Sequence, residues 1–289
     1  MIDWPDQLKR DLLARRVVVF LGSGVSKNSI GQDGETRPPL WVEFLNSALE
    51  KVGGRGTSHI KKAIKENDLL HACEWLKNKM EEEWPPFLRA KFVDPGFTPA
   101  EIHKVIFNLD QRIYLTPNFD QIFENYVNGV TGGLVSVMRY TDPDVHNFLR
   151  EDRTHIIKVH GSIEHPAELI FTQHDYAKAR VSHSAFYDVL DACLLSHTFL
   201  FIGCGISDPD LNLLLENHRF NFPNSRPHYL VTSSKVPKDM VNSLRYNRNL
   251  KCLTYDSKNH HTELFDSLKV LASIMDNVAP VPAELGVVN

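Results

Sequence analysis

The sequence predicts an α/β fold, a parallel sheet with helices on both faces, carrying a helical insertion and no zinc ribbon. Three observations lead there. Short β-branched or apolar runs recur along the chain, helix-periodic segments separate them, and the distinctive polar residues fall just past the ends of the runs. Strands that alternate with helices imply parallel pairing with both faces covered. Ligands of such sheets sit beyond the carboxyl ends of the strands.

The first run, Arg16-Val17-Val18-Val19-Phe20-Leu21, reads as a buried strand, followed directly by Gly22-Ser23-Gly24-Val25-Ser26. Residues 27–39, with Gly31, Gly34, Pro38 and Pro39, read as a loop. From Leu40 to about Phe92, Trp41, Phe44, Leu45, Ala48, Leu49 and Val52 recur at helix spacing. We read 40–98 as the helical insertion. Thr98-Pro99-Ala100-Glu101 has the form of a helix start, with a capping threonine and a proline in the first turn. Strands are expected at Arg112–Thr116, Val135–Met138, Ile156–Val159, Thr198–Ile202, His228–Val231 and Leu250–Tyr255. Helices are expected from about Phe119, over 173–196, from Asp208-Pro209 to about Asn217, and from Thr262 to about Met275. The chain reads as one domain over 1–289, with a frayed tail at 279–289.

Composition narrows the classes. The 289 residues carry a net charge of −4, so no global basic field draws the chain to nucleic acid, which leaves open a local patch and an activity created only in a complex. Cys73, Cys193, Cys204 and Cys252 lie too far apart for a C-x₂₋₄-C knuckle, which leaves no metal site to propose. The N-terminal residues lack the apolar core of a signal peptide, and the apolar runs are strand-sized. We expect a cytoplasmic protein without a membrane span.

Four polar motifs follow strands. Gly22-Ser23-Gly24-Val25-Ser26 could turn backbone N–H groups and two hydroxyls toward a pyrophosphate, or simply form a tight strand exit. Lys27 stands where a G-x-G-x-x-G motif needs its third glycine. In Thr116-Pro117-Asn118-Phe119-Asp120, Asn118 could meet a ribose hydroxyl or a water and Asp120 an amide; both are also ordinary turn and cap residues. Lys158-Val159-His160-Gly161 places a histidine at a strand end, where an imidazole titrating near neutrality suits general-base work. Gly203-Cys204-Gly205-Ile206-Ser207-Asp208-Pro209-Asp210 is a second glycine-rich strand exit, in which Asp208 or Asp210 caps the next helix. Packing alone accounts for any one of these motifs. Four of them at four strand ends point to one site.

Taken in this order, the motifs resemble the sirtuin family, over roughly Val17 to Leu268. The resemblance is nearest to the zinc-less, sirtuin-like branch found in bacterial anti-phage defence proteins, which also carries segments like Phe171-Thr172-Gln173-His174-Asp175-Tyr176 and G-x-S-D-P-D-L at 205–211. It implies a Rossmann-like fold with NAD as substrate. It also implies that Gly22, Ser23, Gly24 and Ser26 hold the phosphates, Asn118 sits at the nicotinamide ribose, Asp120 lies near the carboxamide, His160 is the catalytic base, and Gly205 and Ser207 face the phosphate and adenosine side.

Two departures separate the chain from sirtuin deacylases: it has no four-cysteine module, and Pro117 replaces their glutamine. The implied activity is therefore cleavage of the nicotinamide–ribose bond by an abortive-infection effector. A non-catalytic sensor of NAD or ADP-ribose is the alternative, and a protein deacylase a more distant one. The resemblance further implies a homo-oligomer partnered by a HerA-type hexameric ATPase or a short Argonaute.

Overall fold

The computed structural model describes residues 1–54, 56–205 and 208–278. The tail at 279–289 and Ser207 lie outside the described residues.

The elements run α1 (Asp6–Leu13), β1 (Val17–Leu21), the one-turn α2 (Ser23–Ser26), α3 (Trp41–Val52), α4 (Ser58–Lys65), α5 (Leu69–Met80), α6 (Trp84–Phe92), α7 (Glu101–Phe107) and β2 (Ile113–Thr116). They continue α8 (Ile122–Thr131), β3 (Ser136–Arg139), β4 (His155–Lys158), α9 (Gln173–Ser182), α10 (Ser184–Ser196), β5 (Thr198–Ile202), α11 (Pro209–Asn221), β6 (His228–Ser233), α12 (Lys238–Arg248), β7 (Leu250–Tyr255) and α13 (Lys258–Val278). All six strand pairings are parallel, in the order β3-β4-β2-β1-β5-β6-β7. Without β4 this is the strand order of dinucleotide-binding folds. The chain leaves β1 toward β2 on one side and returns to it from the other as β5, so the topological switch falls at β1.

The sheet divides its side chains by alternation. Val17, Val19 and Leu21 of β1 join Tyr114, Ile156, Leu200 and Ile202 in a core covered by α1, α7, α8 and α13. Val18 and Phe20 join Ile113, Leu115, Ile157, Phe199 and Phe201 in the opposite core, under α9, α10 and α11. A third cluster lies outside the sheet. There α3 to α6 bury Phe44, Leu45, Cys73, Leu76, Trp84 and Phe87 together with Phe119 and Phe171, which come from the loops after β2 and β4. The helical segment is thereby packed onto the site loops.

Local details differ from the sequence reading. Thr98 does not cap a helix: its N–H and hydroxyl both donate to the Ile30 carbonyl, at 3.0 and 3.1 Å, and tie the end of the helical segment to the loop after α2. The helix begins at Glu101, where the His103 ring accepts from the Ala100 N–H at 3.0 Å. The helix expected from Phe119 starts at Ile122, because 117–121 is held as a loop by the bonds described below. The span 173–196 is two helices broken at His183.

Candidate active site

A cavity of about 360 Å³ opens at the carboxyl ends of β1, β2, β4 and β5, within the roughly 300–1,000 Å³ usual for small-molecule sites. Gly22, Ser23, Ser26, Asn118, Asp120, His160 and Gly205 all line it. Gly24 does not; it packs on the backbone of Gly203.

The glycines of the first turn are there for close approach. A Cβ on Gly22 would sit 2.3 Å from the Gly203 carbonyl oxygen and 2.8 Å from Cys204 Cα. One on Gly203, whose φ is +67°, would meet the Val25 nitrogen at 2.7 Å. The exits of β1 and β5 thus nest backbone against backbone. The N–H groups of Gly22 and Gly24 are consumed in that nest, donating to the carbonyls of Ile202 and Gly203 at 2.9 and 3.0 Å. What the turn turns toward the cavity is Ser23 and Ser26.

Asn118 is fixed from two sides. Its Nδ2 donates to the Gly22 carbonyl and to Ser26 Oγ, each at 3.0 Å, while its N–H donates to Thr116 Oγ1 at 3.1 Å. Thr116 Oγ1 in turn donates to the Leu21 carbonyl at 2.8 Å, so the ends of β1 and β2 are stitched together. With both amide hydrogens engaged, Oδ1 is the atom Asn118 has left for a ligand.

Asp120 is buried, and its Oδ1 accepts the Ile122 N–H at 3.0 Å. Beneath it Lys158, buried at the end of β4, donates to the Asp120 carbonyl and pairs with the buried carboxylate of Glu124 on α8. Burial pushes the Glu124 carboxyl up, against the pull of Lys158. This pair anchors the 117–121 loop from below.

His160 follows β4 and turns its ring into the cavity ahead of Gly161, whose φ is +84°. Its Nε2 lies 2.8 Å from Asp208 Oδ2. The Tyr176 hydroxyl donates to that same oxygen at 2.8 Å, stands 3.4 Å from Nε2, and sets its ring edge-on to the imidazole at 5.3 Å. Asp208 Oδ1 accepts the Leu211 N–H at 2.7 Å and caps α11. Burial pushes the Asp208 carboxyl up, but His160 and the hydrogen bonds it accepts outweigh this and leave it below the usual carboxylate range. Burial and Asp208 together push the Tyr176 phenol well up, so it stays protonated.

Much of the rest of the wall is apolar: Trp41, Phe44, Leu70 and Phe92 of the helical segment, with Pro38 and Pro39 of the loop before it, meet Phe119 and Phe171, and Asn67 and Asp68 add polar groups. Trp41 stacks on Phe171 at 5.6 Å and 14°. No lysine or arginine among the described residues lines the cavity. Among the described residues, no group of three or more His, Cys, Asp or Glu side chains is placed to hold a metal ion, and no helix is long and apolar enough to cross a membrane.

Sequence reading therefore assembles most of this site, but it misses three contributors. Tyr176 and Asp208 meet His160 only through folding, although both stand in the motifs at 171–176 and 205–211. The aromatic wall looks, from spacing alone, like a helical core.

Residues 112–253 match the family model described as a SIR2-like domain. The match covers just under half of the chain. It is 27% identical over 235 residues to the NAD(+) hydrolase ThsA of Enterococcus faecium, covering 78% of this chain and 45% of that protein. It is 23% identical over 226 residues to the NAD(+) hydrolase ThsA of Bacillus cereus (strain MSX-D12), covering 77% of this chain and 44% of the relative. The defense-associated sirtuin 2 of Bacillus subtilis matches at 23% over 270 residues, which is 90% of this chain and 25% of that protein. The chain thus spans less than half the length of these curated relatives. The motifs at 116–120, 158–161 and 205 fall within the matched span, and the cavity lies beyond the carboxyl ends of the strands, where open α/β sheets bind ligands.

Proposed function

We propose that this chain hydrolyses NAD at the nicotinamide–ribose bond, releasing nicotinamide and ADP-ribose, as the effector of an anti-phage, abortive-infection defence. The observation that carries the reading is a cavity at the topological switch of the sheet, in which His160, Asn118 and Asp120 face an aromatic wall and, among the described residues, no lysine or arginine. A nicotinamide ring bonded to ribose is cationic. Carboxylates and aromatic faces accommodate a cation of that kind, whereas a lysine or arginine would repel it. The relatives named as NAD(+) hydrolases support the same reading.

Departure of neutral nicotinamide leaves an oxocarbenium-like ribose, as in glycoside hydrolysis. Water then adds to the anomeric carbon and gives up a proton. Asn118 Oδ1 orients that water or a ribose hydroxyl, His160 accepts the proton, and Asp120 lies at the carboxamide. Ser23, Ser26 and Gly205 serve the phosphate side, as would Ser207. General-base help is worth ~10²–10⁴ in rate. The segment 40–98 acts in this reading as an insertion that closes the nicotinamide side, and the active form is a cytoplasmic homo-oligomer working with a HerA-type ATPase or a short Argonaute.

Incubation of the protein with NAD, with products resolved by chromatography, tests this. Nicotinamide and ADP-ribose from the wild type, reduced at least ~100-fold in His160→Ala and Asn118→Ala, are expected. Intact NAD that nevertheless binds, with either candidate partner present, would replace the hydrolase by a sensor.

A further inference from the structure

We propose that Asp208 is a positioning residue for His160, holding the imidazole in one tautomer, and that Tyr176 holds Asp208 in turn. The inference rests on the hydrolase reading for its consequence in catalysis, and on geometry alone for its structural part.

The geometry is that of one carboxylate with two separate duties. Oδ1 is tied to the first turn of α11 through the Leu211 N–H at 2.7 Å, and Pro209 follows directly in the first helical turn. The direction of the carboxylate plane is therefore set by the helix and not by the ligand. Oδ2 is then presented to His160 Nε2 at 2.8 Å and to the Tyr176 hydroxyl at 2.8 Å. A carboxylate accepts and cannot donate, and a phenol kept protonated donates. Nε2 must accordingly carry a hydrogen, and the neutral ring keeps its lone pair on Nδ1. When the ring takes up a proton, the imidazolium faces a fixed negative charge. A helix cap alone requires only Oδ1. Neither the second oxygen's placement on His160 nor the burial of Tyr176 beside it follows from capping.

The second half of the arrangement is rigidly mounted. Tyr176 lies on α9, whose start is fixed by a capping box: Thr172 Oγ1 accepts the Asp175 N–H at 3.1 Å, and Asp175 accepts the Thr172 N–H at 3.1 Å. Lys77 of α5 reaches the same Asp175 at 3.2 Å. Further along, Arg180 of α9 and Tyr187 of α10 both bond Asp210 of α11. The relative placement of α9 and α11, and with it the gap that Tyr176 and Asp208 close around His160, is braced on both sides of the triad.

Asparagine and serine both cap helices well, which allows the two duties of Asp208 to be separated. In Asp208→Asn the single oxygen caps α11, so the amide N–H₂ faces Nε2 and forces the hydrogen onto Nδ1. In Asp208→Ser the cap survives and the side chain no longer reaches the ring. Nitrogen-15 chemical shifts of the histidine rings, with the His160 signals identified by their loss in His160→Gln, read the tautomer without any turnover. An Nε2–H ring in the wild type that becomes Nδ1–H in Asp208→Asn is expected. An unchanged tautomer would overturn the structural part.

Steady-state NAD turnover and calorimetric ADP-ribose binding read the catalytic part. We expect kcat to fall about 100-fold or more in Asp208→Asn and Asp208→Ser, with ADP-ribose affinity within about threefold of wild type and the acid limb of the pH profile moved to lower pH. Tyr176→Phe should lose roughly tenfold, one hydrogen bond to a charged group. Wild-type kcat and an unmoved pH profile in both Asp208 variants would refute positioning. So would a loss confined to ADP-ribose affinity, since Asp208 would then be a ligand contact. A wild-type protein inert toward NAD would remove the hydrolase reading, and the tautomer experiment would still decide the structural part.

Discussion

Lowering the pH from 7 to 5 should destabilise this protein through a residue far from the site. His228 begins β6 and is buried, its Nδ1 accepting the Phe199 N–H at 3.1 Å while Nε2 has no partner among the described residues. The ring stacks edge-on to Phe199 at 5.4 Å, tilts against His218 at 5.5 Å, and lines a cavity together with Asp11, Arg16, His197 and Arg226. Burial, with His218 second, pushes its pKa from 6.5 down to about 3. The folded protein therefore keeps His228 neutral at pH 5, while the unfolded chain binds a proton there with a pKa near 6.5. Protons bound only by the unfolded state favour unfolding, so this contribution is complete above pH 6.5 and is lost progressively as the pH falls toward 3. At pH 5 the unfolded state gains RT ln(1 + 10^1.5), about 2 kcal/mol. The result depends on the unfolded value and on the folded value being below 5, not on how far below.

Urea unfolding at pH 7 and pH 5, on the wild type and on His228→Asn, measures it. Asparagine keeps an acceptor for the Phe199 N–H and cannot titrate. The wild type should lose about 2 kcal/mol more than the variant between the two pH values. His103, His155, His197 and His218 are also pushed down by burial, so the variant should retain a shallower slope of the same sign. Identical pH dependence in the two proteins would refute the reasoning.

Three further outcomes follow from features described above. Gly22→Ala should cost about 1–3 kcal/mol by overpacking against Gly203 and Cys204, whereas Gly54→Ala, with nothing within 4 Å of the added carbon, should leave the thermal midpoint nearly unchanged. Lys158→Met should destabilise the fold by about 3–5 kcal/mol in urea, because Glu124 is left buried without its partner, and adding Glu124→Gln should recover much of the loss. Phe44→Ala should cost about 3–5 kcal/mol, since Phe44 is fully buried among Trp41, Trp84, Phe87, Phe92 and Phe171; differential scanning calorimetry checks it.

The sheet was readable in the chain because each central strand is buried on both faces, and a run such as Val17–Leu21 has few alternatives to a parallel strand. The edge strand β3 is less apolar and half-buried, so its reading landed one residue early. The four strand-end motifs were readable because glycine and short polar residues stand out after apolar runs. Local sequence could not indicate that Asp208 acts on His160, 48 positions away, because capping is a complete local explanation for an aspartate before a proline. Thr98 misled for the same reason: a good capping residue went to a tertiary partner, Ile30, that no local pattern announces. Nor could spacing tell that the aromatic positions of 40–92 divide between their own core and the cavity wall.

The nest of Gly22, Gly24 and Gly203 has an implication for how such a pocket can be altered. The nest lies beneath the pocket's floor, main chain against main chain, and a side chain added at these glycines would force two strands apart. Selectivity must then be written in the parts that stand above the floor: Trp41 and Phe92 from the helical segment, and Phe119 and Phe171 from the loops. A designer wishing to change what this pocket accepts would leave the glycines alone and redraw the aromatic rim.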